Sequence, residues 1–391
     1  RRNLLEVLQS YISAQKMLES GRLESLLKQS LSYQISTWKY HDWEKKNHKY
    51  SLLEQHKWEK TPLPNKLLHS INIHKDEVWY VAISPDGTKL ATVSKDKVIN
   101  IWSININKNT LELSLYNCIK KSHNSNETEI NSIMWNNASD KLLTWSENAK
   151  IFDVKTGKWL KDFKPNSETV SSALWIDNDS KIIAAETEKC MKLWSTEGQL
   201  LHTWKDHRYI DVVGNRQNNL IAFYSASEIH WIDVNSKEII KTLKEEEKVR
   251  SITMSQDGES ILANWNGTEN DPVIHLWNVK ENKIVQRYKG HKQSKYVLRW
   301  SFGGKYENYI LWGSEDDMIY IWSRASAELL EKLQGHTDTV NTIAWSYLIP
   351  NFFFSSSDDQ TVKVWGTSEH LEVKMIIDSK FKQDKDEELS D

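Results

Sequence analysis

Cysteine is scarce in this chain. Cys118 and Cys190 are the two among 391 residues, which excludes a disulfide framework and suits a reducing compartment. No apolar run approaches the roughly 18–20 residues that a membrane-spanning helix needs, and no secretory leader is expected. No glycine-rich phosphate loop joins a strand to a helix, so the nucleotide-binding motifs are absent. No Gly-x-Ser-x-Gly elbow occurs. The cysteines and histidines lack zinc-site spacing, and His41, His48 and His56 stand seven and eight apart, which fits no helical metal pair. No metal, cofactor or catalytic residue is therefore expected, and the abundant acids fall mainly in polar turns. Charge of one sign is also lacking. The net value is −3, so neither nucleic acid nor an anionic membrane is an expected partner.

What is present is a repeat, rich in tryptophan (19 residues). Residues 329–366 read LLEKLQGHTDTVNTIAWSYLIPNFFFSSSDDQTVKVWG. One alternating run ends at Gly335–His336, a second spans Val340–Trp345, a third Phe352–Ser356, and the last Thr361–Trp365. Period 2 with Pro-Asn and Ser-Asp-Asp turns means strands. The stretch resembles one WD-repeat unit, with Gly-His near its start and Trp near its end, at about 40–45 residues per blade. The closing aromatic recurs at Trp102, Phe152, Trp194, Trp231, Trp277, Trp322 and Trp365, with gaps of 50, 42, 37, 46, 45 and 43. First-strand marks precede these at Ile83, Trp135, Trp175, Gly214, Met254, Trp300 and Trp345. The expected fold is all-β, a seven-bladed WD40 β-propeller preceded by a short α-helical segment.

Residues 1–40 read as that helical segment, with Leu4, Leu5, Leu8, Tyr11 and Ile12 on one stripe and Leu23, Leu26, Leu27, Leu31, Ile35 and Trp38 on another. Residues 41–65 read as a linker, 66–366 as the propeller, and 367–391 as an acidic, disordered tail of net −4 in which Leu371–Ile377 can add a strand. Lys66–Asn72 is a lone strand ahead of the first unit. It is expected to serve as the outer strand of the seventh blade and so to close the ring.

By resemblance to WD blades, a histidine, a turn aspartate, a strand Ser/Thr and the tryptophan form a hydrogen-bonded set. The sets are His74, Ser94, Asp96 and Trp102; His291, Ser314, Asp316 and Trp322; and His336, Ser357, Asp359 and Trp365. Blades two to five depart from this pattern, since Phe152 has no N–H and Glu188 replaces the aspartate. The face carrying the first-strand starts is the expected partner face. There the residue after the apolar mark is Trp79, Asn131, Ser171, Val213, Arg250, Leu298 or Asn341. Trp79 and Arg250 are of types enriched at binding hot spots, and Asn341 joins them as a candidate contact. Glu245–Glu247 reads as a solvated loop.

Three segments resemble a narrower family. HKDEVWYVAISPDGTKLATVSKDKVINIW (74–102) is similar to the first blade of the WD-repeat subunits of GID/CTLH ubiquitin-ligase complexes. Residues 285–366, from VQRYKGHKQSKYVLRWSFGGKYENYILWGSEDDMIYIW to VKVWG and including Phe302–Gly304, resemble the last two blades. GRLESLLKQSLSYQISTWKYH (21–41) resembles the segment joining that family's helical region to its propeller. The resemblance implies a noncatalytic scaffold, cytoplasmic and nuclear, that helps assemble a multi-subunit E3 ligase and can recruit its substrate for proteasomal degradation. It also implies that this is a fragment without the LisH and most of the CTLH region, whose helices give the full-length protein its self-association. The alternative reading is a WD-repeat scaffold of another assembly, in transcription or ribosome maturation.

Overall fold

The computed structural model describes residues 63–377 except 108–109, 121–128, 165–168, 188–189, 206, 215–219, 226–227, 245–248, 266–271, 294–295, 305, 347 and 368–371, together with 22, 24–27 and 29–30. Expectations placed on the remainder of the 1–40 segment, on most of the 41–65 linker with its three histidines, on Glu188, on Glu245–Glu247 and on 378–391 lie outside the described residues. The chain divides into two units, Arg1–Thr61 and Pro62–Asp391. In the first, the described residues are helical. No helix among the described residues is long and apolar enough to cross a membrane.

The second unit is built of strands. β1 (Lys66–Ile71) stands first and alone in sequence. Then come β2 (Val78–Ile83), β3 (Lys89–Ser94), β4 (Val98–Asn107) and β5 (Thr110–Lys120), followed by β6 (Ser132–Trp135), β7 (Lys141–Trp145), β8 (Ala149–Asp153) and β9 (Trp159–Phe163). The next group is β10 (Val170–Ile176), β11 (Lys181–Glu186), β12 (Cys190–Ser195) and β13 (Leu200–Trp204), and after it β14 (Asp211–Gly214), β15 (Leu220–Ser225), β16 (Glu228–Asp233) and β17 (Ile239–Lys244). Two further groups follow, β18 (Val249–Met254), β19 (Ser260–Trp265), β20 (Val273–Asn278) and β21 (Lys283–Tyr288), then β22 (Ser301–Gly303), β23 (Tyr309–Gly313), β24 (Met318–Ser323) and β25 (Leu329–Gln334). The last are β26 (Val340–Trp345), β27 (Phe352–Ser357), β28 (Val362–Gly366) and β29 (Glu372–Ile376).

The expected seven-bladed propeller behind a short helical segment needs correction. Among the described residues there are six four-stranded blades and one enlarged sheet of five strands, in the order β2-β3-β4-β5-β29. Almost no helix is described. The sequence marks count closing aromatics, and these do not report how many strands a sheet holds. β4 and β5 are ten and eleven residues long where their counterparts have five or six, and the apolar side of this longer hairpin is what β29 packs beside. The closing blade is β1-β28-β27-β26, with Lys66 opposite Gly366 and Ile71 opposite Val362, so the lone strand ahead of the sheets does close the repeat region on itself.

Middle strands such as β3, β11, β23 and β27 are buried on both faces. The two consecutive residues at the end of the third strand point to different cores. Trp102 packs with Ile71, Phe352, Phe354 and Val364 of the closing blade. Ile101 packs with Ile133, Trp135 and Leu142 of the next sheet. Strands with both faces covered carry near-continuous apolar runs, as in Leu90–Val93 and Phe352–Phe354.

Register resolves two marks differently from the sequence. A bulge stands immediately before the closing aromatic at Ile101/Trp102, Leu193/Trp194 and Ile321/Trp322, but between Trp231 and Ile232 in β16. Ile232 is thus the closing residue there, and Trp231 faces the following blade with Val249, Ile252 and Ile261. In the β22 blade Phe302, opposite Ile310, holds the place of Ile83 opposite Leu90, so Phe302 and not Trp300 is its first-strand mark.

Candidate protein-interaction face

The inner strands β2, β10, β18 and β26 each begin with the same irregularity. Register shifts fall between Val78 and Tyr80, Val170 and Ser172, Val249 and Ser251, and Val340 and Thr342. The skipped residues are Trp79, Ser171, Arg250 and Asn341. A bulged residue leaves the ladder and re-aims its side chain, which puts these four on the rim where the loops converge. In the β14 blade the corresponding residue is Ile210, since Asp211 pairs with Tyr224 as Tyr80 pairs with Val93. Val213 lies further along the strand and lines the central channel instead.

The three candidate contacts have different surroundings. Trp79 is half-buried, and its indole N–H donates to the Glu77 carboxylate at 2.9 Å. Glu77 also pairs with Lys95 at 3.1 Å. Asn341 is engaged between sheets, donating to the Val78 carbonyl at 3.0 Å and to the Asp358 carboxylate at 2.7 Å. The neighbouring Thr342 hydroxyl donates to the Trp79 carbonyl at 2.9 Å. Trp79 and Asn341 are therefore brought together at the junction of β2 and β26. Arg250 stands apart from them on β18.

Acids frame this junction. Burial raises the pKa of Asp358, and the nearby Glu77 and Asp338 charges raise it further, against the Asn341 bond. Asp317 is raised by burial and by Asp338, Asp316 and Asp359. Glu77, Asp338 and Asp358 thus place three carboxyl groups near Trp79, with Lys95 paired to Glu77.

The rim is held from beneath by hydrogen-bonded sets. In the closing blade His336 Nδ1 meets Asp359 at 2.7 Å and Nε2 meets the Ser355 hydroxyl at 2.7 Å. The Trp365 indole donates to Ser355 at 2.8 Å. The chain of donors is consistent with a neutral imidazole: Trp365 N–H to Ser355, Ser355 O–H to Nε2, and Nδ1–H to the carboxylate. Burial lowers the His336 pKa, with Asp359 opposing. Burial would raise Asp359, but the His336 bond, Thr361 and the Thr337 amide hold it well below the usual carboxylate range.

Ser355 here, and not the expected Ser357, is the strand hydroxyl. Ser357 donates to the Asp338 carbonyl and accepts from the Asp359 amide, shaping the turn. The same shift of two holds in the five-stranded sheet. There His74 meets Asp96 and Thr92, each at 2.9 Å, while Ser94 donates to the Asp76 carbonyl. Trp102 does not complete this set; its indole nitrogen has no acceptor among the described residues. In the β22 blade Trp312 fills the hydroxyl position and packs its ring 5.0 Å from His291. Asp316 turns to the Tyr320 hydroxyl at 2.8 Å, and the Trp322 indole donates to the Lys289 carbonyl at 3.2 Å. His291 meets Trp322 by ring packing, edge-on at 5.9 Å.

The inner strands enclose a channel of about 280 Å³ lined by Tyr80, Trp145, Thr253, Arg299 and Thr342 among others. Arg299 forms a bidentate pair with Asp211 at 2.8 and 3.1 Å, linking residues 88 apart in sequence. A second buried pair, Lys192–Glu186 at 2.7 Å, stiffens the β11–β12 hairpin. Neither pair has a local sequence signal: Glu186 and Lys192 meet across the β11–β12 hairpin, and Asp211 and Arg299 meet between different sheets. Among the described residues no group of three His, Cys, Asp or Glu side chains is placed to hold a metal ion.

The WD domain, G-beta repeat model matches residues 65–103 and 327–366, the two sets of strands that meet at the closing seam. The chain is 32% identical over 377 residues to an Arabidopsis thaliana WD repeat-containing protein WDS homolog, covering 94% of this chain and 69% of that one. It is 32% identical over 394 residues to Schizosaccharomyces pombe GID complex subunit 7, covering 95% and 71%. The chain belongs to the GID/CTLH WD-repeat family. An Arabidopsis thaliana WD repeat-containing protein 26 homolog is 30% identical over 380 residues, and this chain spans 61% of its length. In this member of the family the best-formed hydrogen-bonded sets lie in the two matched segments. In the intervening blades indole donors bond carbonyls of neighbouring sheets instead, Trp135 to Ala82 at 3.0 Å and Trp175 to Met134 at 3.3 Å.

Proposed function

We propose that this chain is the noncatalytic WD-repeat scaffold of a GID/CTLH-type E3 ubiquitin ligase, acting in the cytoplasm and nucleus. The observation that carries this reading is the likeness to GID complex subunit 7 along 95% of the chain. The rim at the β2–β26 junction is the surface through which it binds another subunit or the substrate. Trp79 supplies apolar area with a polar edge, a combination suited to a binding hot spot. The acids around it favour a partner of positive charge and give an association rate that falls as salt rises. Two cysteines, Cys118 and Cys190, with no disulfide between them, suit a reducing compartment.

The test is affinity purification from native cells with mass spectrometry, comparing the unaltered chain with a Trp79→Ala/Asp338→Asn variant. RING-type ligase subunits recovered with the chain support the scaffold reading. Other stable partners without them favour the transcription or ribosome-maturation alternative. Unchanged recovery of every partner with the variant moves the contact away from this rim. Substrate turnover by the purified chain alone overturns the noncatalytic assignment.

A further inference from the structure

The seam between the closing blade and the five-stranded sheet is crossed twice. β1, which precedes the sheets in sequence, is donated to the closing blade through β28. β29, which follows them, is donated the other way, running parallel to β5 with Glu372 opposite Thr110 and Ile376 opposite Ser114. Val373, Met375 and Ile377 pack against one apolar cluster that contains Ile71, Phe354 and Val364 from one side of the seam and Trp102, Leu111 and Leu113 from the other. The Met375 sulfur lies 2.8 Å from His69 Nε2 on β1.

Other seams are latched differently. A side chain of one blade's outer strand bonds the turn of the next blade: Asn117 to the Val154 carbonyl at 3.0 Å, Trp204 to Lys237 at 2.9 Å and Tyr288 to Arg324 at 2.8 Å. At the closing seam the long β4–β5 hairpin occupies the region of that turn, and β29 stands beside it. We propose that β29 is a second clasp of the ring. It ties β1 to the five-stranded sheet through Met375, so the two donated strands open and close as one cooperative unit.

Hydrogen exchange read by mass spectrometry on the full chain tests this. Met375→Ala removes a half-buried side chain without touching the ladder. It is expected to speed exchange in β29, β1 and β28 together, by about fivefold or more, while β11 and β12 stay unchanged. Lys374→Ala, on the exposed side of the same strand, is expected to leave β1 and β28 as they are. Faster exchange confined to β29 makes it an appendage and overturns the proposal. Equal acceleration in every sheet also overturns it, as does an effect of Lys374→Ala on β1 equal to that of Met375→Ala.

Discussion

Ser355→Ala is the sharpest perturbation of the closing blade. Ser355 is fully buried and its single oxygen serves two partners, accepting from the Trp365 indole at 2.8 Å and meeting His336 Nε2 at 2.7 Å. Alanine removes that oxygen and leaves a buried N–H and a buried ring nitrogen unsatisfied. Each orphaned group costs about 1–3 kcal/mol, and partial rearrangement around His336 offsets some of it, so the net loss is about 2–4 kcal/mol. Packing of the indole should survive, because Trp365 remains stacked on Phe353 at 6.0 Å. Denaturant titration followed by tryptophan fluorescence measures the loss. A cycle with Trp365→Phe isolates the bond, and a coupling of about 1 kcal/mol or more is expected between the two sites. A loss below about 0.5 kcal/mol together with no coupling refutes the relay.

Three further outcomes follow from the same geometry. Gly335→Ala places a methyl 2.7 Å from the Trp365 ring, and thermal melting should show a loss of about 1–3 kcal/mol from overpacking. Arg299→Ala leaves the buried Asp211 carboxylate without its bidentate partner, at a cost of about 3 kcal/mol or more by denaturant titration, and replacing both by apolar residues should recover most of it. Because the folded pKa of His336 is depressed, the unfolded chain takes up that proton first as pH falls; its stabilisation is present above the unfolded pKa and is lost as pH falls toward the folded one. The melting-temperature advantage of the unaltered chain over His336→Gln should therefore shrink as pH falls below about 7, and Asp359, also depressed, adds a further loss at lower pH.

Much of this fold is legible in the sequence because a propeller repeats one solution. Trp102, Trp194, Trp322 and Trp365 recur because each closes a third strand beside a bulge, and Lys66–Ile71 has no partner strand near it in sequence and must find one at the far end. The sequence misleads where neighbouring residues are both aromatic or branched. At Trp231–Ile232 both side chains are buried, in different cores, and only register tells which closes the blade. The same limit explains Ser357: a strand alternates faces, so the hydroxyl that meets His336 is two residues back, at Ser355. On the rim, Trp79 is visible as a large aromatic at a strand start, but its frame of Glu77, Asp338 and Asp358 forms only when the first and last sheets of the repeat region meet. The fifth strand of the enlarged sheet is hinted at by the alternation in Leu371–Ile377, whereas its parallel pairing with β5 depends on a hairpin more than 250 residues earlier.

The central claim is that this chain acts as a scaffold through the rim where its first and last blades meet. The most direct measurement is affinity purification of the unaltered chain and of Trp79→Ala/Asp338→Asn from native cells, quantified by mass spectrometry and accompanied by a melt of each protein. The account predicts that RING-type ligase subunits accompany the unaltered chain, and that at least one protein is selectively lost from the variant while the melt is preserved. Stable partners that include no ligase subunit, recovered equally by both proteins, contradict it.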